Sequence, residues 1–219
     1  MPNQRRCPRG FTLVELLVVL GIITILSALS IPAISGIMRS SRMTGAGSTL
    51  GGQLNVAQQY AMSRNCEVEV RLYQLPEGST PSATTPTVYR AIQSFAVPTN
   101  GSAKVPITKV IYLPDQICIM NNVTYSSILQ TPSGETYPEH VLGTTAGTAL
   151  GPYPPASYNY YDFHFKPDGS TDLDPSSAQS WFISLVNERD PVLATGLPAN
   201  FVTLQINATS GRVSNYRPN

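Results

Sequence analysis

Residues 11–31 (FTLVELLVVLGIITILSALSI) carry a single charge, Glu15, and show no polar face. As a helix rising 1.5 Å per residue, the run covers roughly 32 Å, the thickness of a hydrocarbon core. A core helix of a soluble protein would keep one polar stripe, which this segment lacks. Arg5, Arg6 and Arg9 precede it, so the bias of basic residues predicts a cytoplasmic amino terminus and an external body. A cleaved secretory signal is the nearest rival. The run is too long for one, and no small-x-small site followed by polar sequence ends it. A lone carboxylate costs a few kcal/mol to place in hydrocarbon, so Glu15 must meet a compensating group.

The chain as a whole is sparing in charge, 12% of 219 residues, and rich in proline, glycine, serine and threonine. That composition suits strands joined by turns and long loops. The formal net charge of +1 implies no general attraction to nucleic acid or acidic lipid. Without residues 1–10 the balance becomes 11 basic against 13 acidic side chains, or −2. Of the three cysteines, Cys7 lies in the basic leader; Cys66 and Cys118 can pair outside the cytoplasm or remain two buried thiols.

Pro32 follows the apolar run, removing a backbone donor and predicting a kink or local loosening of the helix. Beyond it Met43, Ala46, Leu50, Leu54, Ala57 and Ala61 recur at steps of three or four, an apolar stripe one face wide. Gly45, Gly47, Gly51 and Gly52 each cost about 1 kcal/mol against alanine, so this half of the helix needs a sheet to pack on. It should end near Asn65. The period then changes. EVEVRLYQL (67–75), VYRAIQSFAV (88–97), VPITKVIYLP (105–114), QICIM (116–120), SWFISLV (180–186) and FVTLQIN (201–207) read as strands, the last closing as a hairpin into RVSNYR. YNYYDFHFKPDGS (158–170) sets Tyr161, Phe163 and Phe165 on one face and Asp162 and His164 on the other. Residues 76–86 and 121–157 read as excursions, with a short strand or helix near Tyr125–Leu129. The expected fold is α+β: a long amino-terminal helix packed on an antiparallel sheet. Its parts are a leader (1–10), a membrane helix (11–38), an amphipathic continuation (39–65) and a β-rich head (66–219).

Catalytic patterns are missing: there is no HExxH, GxSxG, phosphate loop or CxxC. His140 and His164 read as surface polar residues. Asp168, Asp172 and Asp174 cluster in PDGSTDLDP and are the metal candidates, but the spacing is not a calcium loop and Asp-Gly is ordinary turn chemistry. Arg212 and Arg217 with Tyr216 are too few cations for a phosphate footprint. No cofactor is expected.

Gly10-Phe11-Thr12-Leu13-Val14-Glu15, after a basic leader and before a membrane-length helix, resembles the processing site of type IV pilins and type II secretion pseudopilins. That resemblance implies a prepilin peptidase that cuts between Gly10 and Phe11, and methylation of Phe11. It makes Glu15 an assembly contact, pairing with the terminal amine of a neighbouring subunit. LNVAQQYAMSRNCEVEV (54–70), FHFKPDGST and VTLQINATSGRVSNYRP are similar to segments of H-type minor pseudopilins and FimT-like pilins. The ensemble is similar to the "Verru_Chthon cassette protein D" group of prepilin-type proteins. The implied role is a minor or tip subunit of a pilus or pseudopilus, held in the bacterial inner membrane with a periplasmic head. Its implied partners are the peptidase and other subunits, and its cargo is unassigned. The alternatives are a DNA-binding or adhesive minor pilin and, behind it, a membrane-anchored enzyme.

Overall fold

In the computed structural model, one helix, α1 (Leu13–Arg64), is followed by a sheet of ten strands. The structure describes residues 11–76, 87–129, 142–150, 153–175, 180–190 and 196–217, leaving aside the side chains of 29–35, 142–149 and 154–157. Two compact units divide the chain, Met1–Ser41 and Arg42–Asn219.

The first unit is the beginning of α1. Among its described residues the apolar side chains stand exposed on every side, from Phe11 at 83% to Val19 at 49%. The helix runs without a break through position 32, whose side chain lies outside the described residues, so the kink expected at Pro32 is not seen either way. Among the described residues no helix is long and apolar enough to cross a membrane. The described side chains of the run end at residue 28 and resume at 36, inside the span expected over 11–38.

The second unit holds the rest of α1 and the head. Met43, Ala46, Leu50, Leu54, Ala57 and Ala61 are all fully buried, so the stripe read from the sequence is the face that meets the sheet. Two of the glycines explain how closely. A Cβ at Gly47 would stand 2.8 Å from Val202 Cγ1, and one at Gly51 would stand 3.3 Å from Leu204 Cδ2. Asn65, with φ of 49°, stops the helix in the left-handed conformation that asparagine tolerates.

The strands are β1 (Glu67–Pro76), β2 (Thr87–Val97), β3 (Val105–Pro106), β4 (Ile111–Tyr112), β5 (Ile117–Ile119), β6 (Leu142–Leu150), β7 (Tyr153–Phe165), β8 (Trp181–Asn187), β9 (Val202–Ile206) and β10 (Val213–Tyr216). Their order is β10-β9-β8-β5-β2-β1-β7-β6, with β3 and β4 also on β2. Every pairing is antiparallel. Period-two alternation sends Val68, Val70 and Leu72 of β1 to the helix side, where they join Phe163, Phe165, Ile183 and Leu204 in the main core. Tyr73, Leu75, Ala91, Leu150, Tyr153 and Tyr158 form a second, smaller cluster.

Two sequence expectations need correction. The 105–114 strand is two short ones, β3 and β4. The excursion over 121–157 contains the 3-10 turn Ser127–Leu129, as expected, but also β6 and the start of β7. LGTTAGTAL has little alternation of its own, and β6 is a strand because β7 pairs with it. The tips at 77–86 and 130–141 lie outside the described residues.

Candidate functional site

At the amino terminus, the Thr12 main-chain N–H donates to Glu15 Oε2 at 2.9 Å and the Thr12 hydroxyl donates to the same oxygen at 2.8 Å. The Glu15 N–H in turn donates to Thr12 Oγ1 at 3.2 Å. This is a capping box, Thr-x-x-Glu, in which two groups satisfy each other's orphan donors at the first turn. It gives Glu15 a local task that the sequence reading missed, although the TLVE spacing carries the signal. Both described bonds to the carboxylate end on Oε2. Phe11, just before the cap, is exposed, and Gly10 lies outside the described residues.

In the head, the three aspartates do not converge. Asp168 Oδ1 accepts from the Ser170 N–H and hydroxyl, closing a turn on itself. Asp174 accepts the Trp181 indole N–H through its backbone carbonyl. Asp172 reaches inward instead, accepting from the His164 N–H at 2.8 Å and meeting His164 Nδ1 at 2.9 Å. Among the described residues no group of histidine, cysteine and acidic side chains could hold a metal ion.

His164 is therefore not a surface residue. It is 5% exposed, beside Glu69 at 0%, with Nε2 facing Glu69 Oε2 at 3.4 Å. Arg71 Nε and Lys104 Nζ also bond the Glu69 carboxylate. Arg71 is itself sandwiched between Phe95 and Tyr160, 4.4 Å from each ring centroid, an arrangement that stabilises a desolvated guanidinium. Burial pushes the Glu69 carboxyl up, but hydrogen bonds from His164, Lys104 and Arg71 outweigh it and hold the group at about 2. Burial pushes the His164 imidazole down; Asp172 and Glu69 outweigh it, raising it to about 10. Both ring nitrogens face carboxylates, so neither is left to act as a general base. The cluster is an internal ion network. Glu69 and Arg71 sit two apart in EVEVR, on one face of β1; that much was legible, but their partners on β7 and in the 98–104 turn were not.

Cys66 and Cys118 are not joined by a disulfide, and the sheet register gives the reason. Cys66 precedes Glu67, opposite Val97, whereas Cys118 precedes Ile119, opposite Tyr89, which is itself opposite Gln74. From position 66 to 74 a strand advances roughly 25 Å, far beyond the ~7 Å limit between bridged Cα atoms. Of the two basic residues beside β10, Arg217 is engaged with Thr44 and with Asn200, at 3.1 Å for the latter.

Residues 5–31 match the prokaryotic N-terminal methylation motif. This is a type IV pilin- or pseudopilin-like chain. Over 36 residues it is 58% identical to prepilin peptidase-dependent protein D of Escherichia coli (strain K12), a stretch that makes up 16% of this chain and 25% of that relative. The pilin-like chain thus spans about a quarter of the relative's length. The crystal structure of the type IV minor pilin FimU of Pseudomonas aeruginosa (strain PAO1) aligns over 83% of this chain and 96% of its own, at 10% identity and a TM-score of 0.42. That likeness is too loose to carry an argument. The α+β architecture stands on the helix and antiparallel sheet themselves.

Proposed function

We propose that the chain is a structural subunit of a type IV pilus or type II secretion pseudopilus, cut by a prepilin peptidase between Gly10 and Phe11 and methylated on Phe11. The mature helix anchors it in the inner membrane with the head in the periplasm. Assembly runs through that helix, in which Glu15 pairs with the terminal amine of a neighbour and Pro32 lets the helix bend. A minor or tip position suits a head of this size, which presents a surface to partners or cargo.

The observation that carries this reading is the first turn of α1. An apolar run exposed on all sides has one charged group, and that group is a carboxylate held beside the position where the new amine would arise. In an apolar bundle an unpaired carboxylate is costly, and a cation from the next chain removes the cost. The role is architectural rather than catalytic.

Intact mass and amino-terminal sequencing of the full-length chain, produced with and without a prepilin peptidase, test it. The expected product begins at Phe11, carries one added methyl group, and appears only with the peptidase. A chain that keeps residues 1–10 beside an active peptidase would overturn the proposal.

A further inference from the structure

The chain has one Asn-Gly step, Asn100-Gly101, and one Asp-Gly step, Asp168-Gly169. In either, the glycine nitrogen can attack the side-chain carbonyl carbon before it and close a succinimide, because glycine has no side chain to hinder the approach. The fold sets the two apart. Asp168-Gly169 is packed against α1: the Gly169 N–H donates to the Lys166 carbonyl at 2.9 Å, and a Cβ on Gly169 would stand 2.8 Å from Met62 Sδ. Hydrogen bonds from the Ser170 hydroxyl and N–H hold the Asp168 carboxyl below its ordinary range, and an ionised carboxylate resists nucleophiles.

Asn100-Gly101 lies in the 98–104 turn between β2 and β3, where residues 99–104 are exposed. The Gly101 N–H reaches the Pro98 carbonyl only at 3.4 Å, beyond the usual range for such a bond. A Cβ on Gly101 would meet nothing within 4 Å, so nothing crowds the nitrogen. The Asn100 amide is neutral and its carbon stays electrophilic. Its Oδ1 accepts the Ser102 N–H at 3.1 Å. That oxygen gathers negative charge when the amide carbon becomes tetrahedral, and a backbone donor already in place there lowers the barrier.

We propose that Asn100 is a site of spontaneous covalent modification, deamidating in the folded chain through attack by the Gly101 nitrogen. The Gly101 N–H gives its proton to solvent as the bond from nitrogen to Asn100 Cγ forms, and the side-chain nitrogen leaves as ammonia. Water then adds to one of the two succinimide carbonyls, and the C–N bond at that carbon breaks. The net change is amide plus water to carboxylate plus ammonium, with no oxidant or reductant. Opening at one carbonyl gives aspartate; opening at the other gives isoaspartate, which lengthens the backbone by one carbon. Either product puts a negative charge four residues before Lys104, on the turn that delivers Lys104 Nζ to Glu69. This is independent of cleavage at Gly10.

Incubation of the full-length folded chain in mildly alkaline buffer made with oxygen-18 water, followed by tryptic digestion and mass spectrometry, tests the site. The peptide 91–104 should split into asparagine, aspartate and isoaspartate forms, the two new ones heavier by the amide-to-acid difference and carrying the heavy oxygen. The peptide that contains Asp168 should gain no isoaspartate, read by enzymatic isoaspartate methylation. Gly101→Ala should slow conversion at Asn100 by about tenfold, the effect of a modestly higher barrier. The same chain unfolded in urea is the comparison. The proposal fails if Asn100 converts in urea but stays intact in the folded chain, if Asp168 forms isoaspartate as fast as Asn100, or if Gly101→Ala leaves the rate unchanged.

Discussion

Glu15 and Glu69 show how one residue type serves two ends of the molecule. Glu15 is exposed and held by Thr12; Glu69 is sealed in the head among Arg71, Lys104 and His164. Glu15→Ala should leave cleavage intact and lose filament incorporation, read by shearing and immunoblotting; normal incorporation would end the pairing argument. Gly10→Val should block cleavage, leaving the precursor mass unchanged. Glu69→Gln removes the buried carboxylate shared by His164, Arg71 and the part-exposed Lys104, and breaking a buried pair costs about 3–5 kcal/mol. Its urea midpoint should fall by that free energy divided by the slope, with the slope unchanged. The cluster also sets a pH window. Glu69 drops from 4.5 to about 2 on folding, so its contribution is present above 4.5 and is lost as pH falls toward 2. His164 rises from 6.5 to about 10, so its contribution is present below 6.5 and is lost as pH rises toward 10. Both act in full between those limits. Urea midpoints measured across pH should peak there, and His164→Gln should remove the decline on the alkaline side above 6.5.

At the scale of elements, the amphipathic half of α1 is tied to two turns that are distant in sequence. Gln58 Nε2 donates to the carbonyls of Gly169 and Ser210, at 2.9 and 2.8 Å. Gly211 has φ of 64°, and a Cβ there would stand 2.1 Å from the Gly169 carbonyl oxygen. Gly211→Ala therefore meets both a left-handed backbone and a clash with main chain that cannot swing away. Denaturant unfolding of the head should show a loss of more than about 1 kcal/mol, and Gly52→Ala, where the added Cβ meets nothing within 4 Å, should gain stability through helix propensity. A Gly211→Ala head as stable as the parent would count against this junction. The helix stripe, most strands and these turns were legible because periodicity and Gly-Asp-Pro punctuation are local properties. β6 was not, since its nine residues take strand form from their partner.

At the scale of the whole molecule, the register of the sheet decides which distant residues meet. It keeps Cys66 and Cys118 apart at opposite ends of β2, so alkylation of the denatured, unreduced chain should label both; a mass two hydrogens lighter with neither labelled would contradict the register. The same sheet brings Asp172 and Glu69 to either side of His164, turning a residue that alternation placed on the polar face of β7 into a buried cation. By itself the sequence determined the exposed apolar run, its capped start, the sheet-facing stripe of α1 and the alternation of the strands, because each depends on neighbours within a few residues. Only the tertiary structure decided the ion cluster and the separation of the cysteines. Those depend on strand order and register, which the burial of the whole core fixes at once and no single segment encodes.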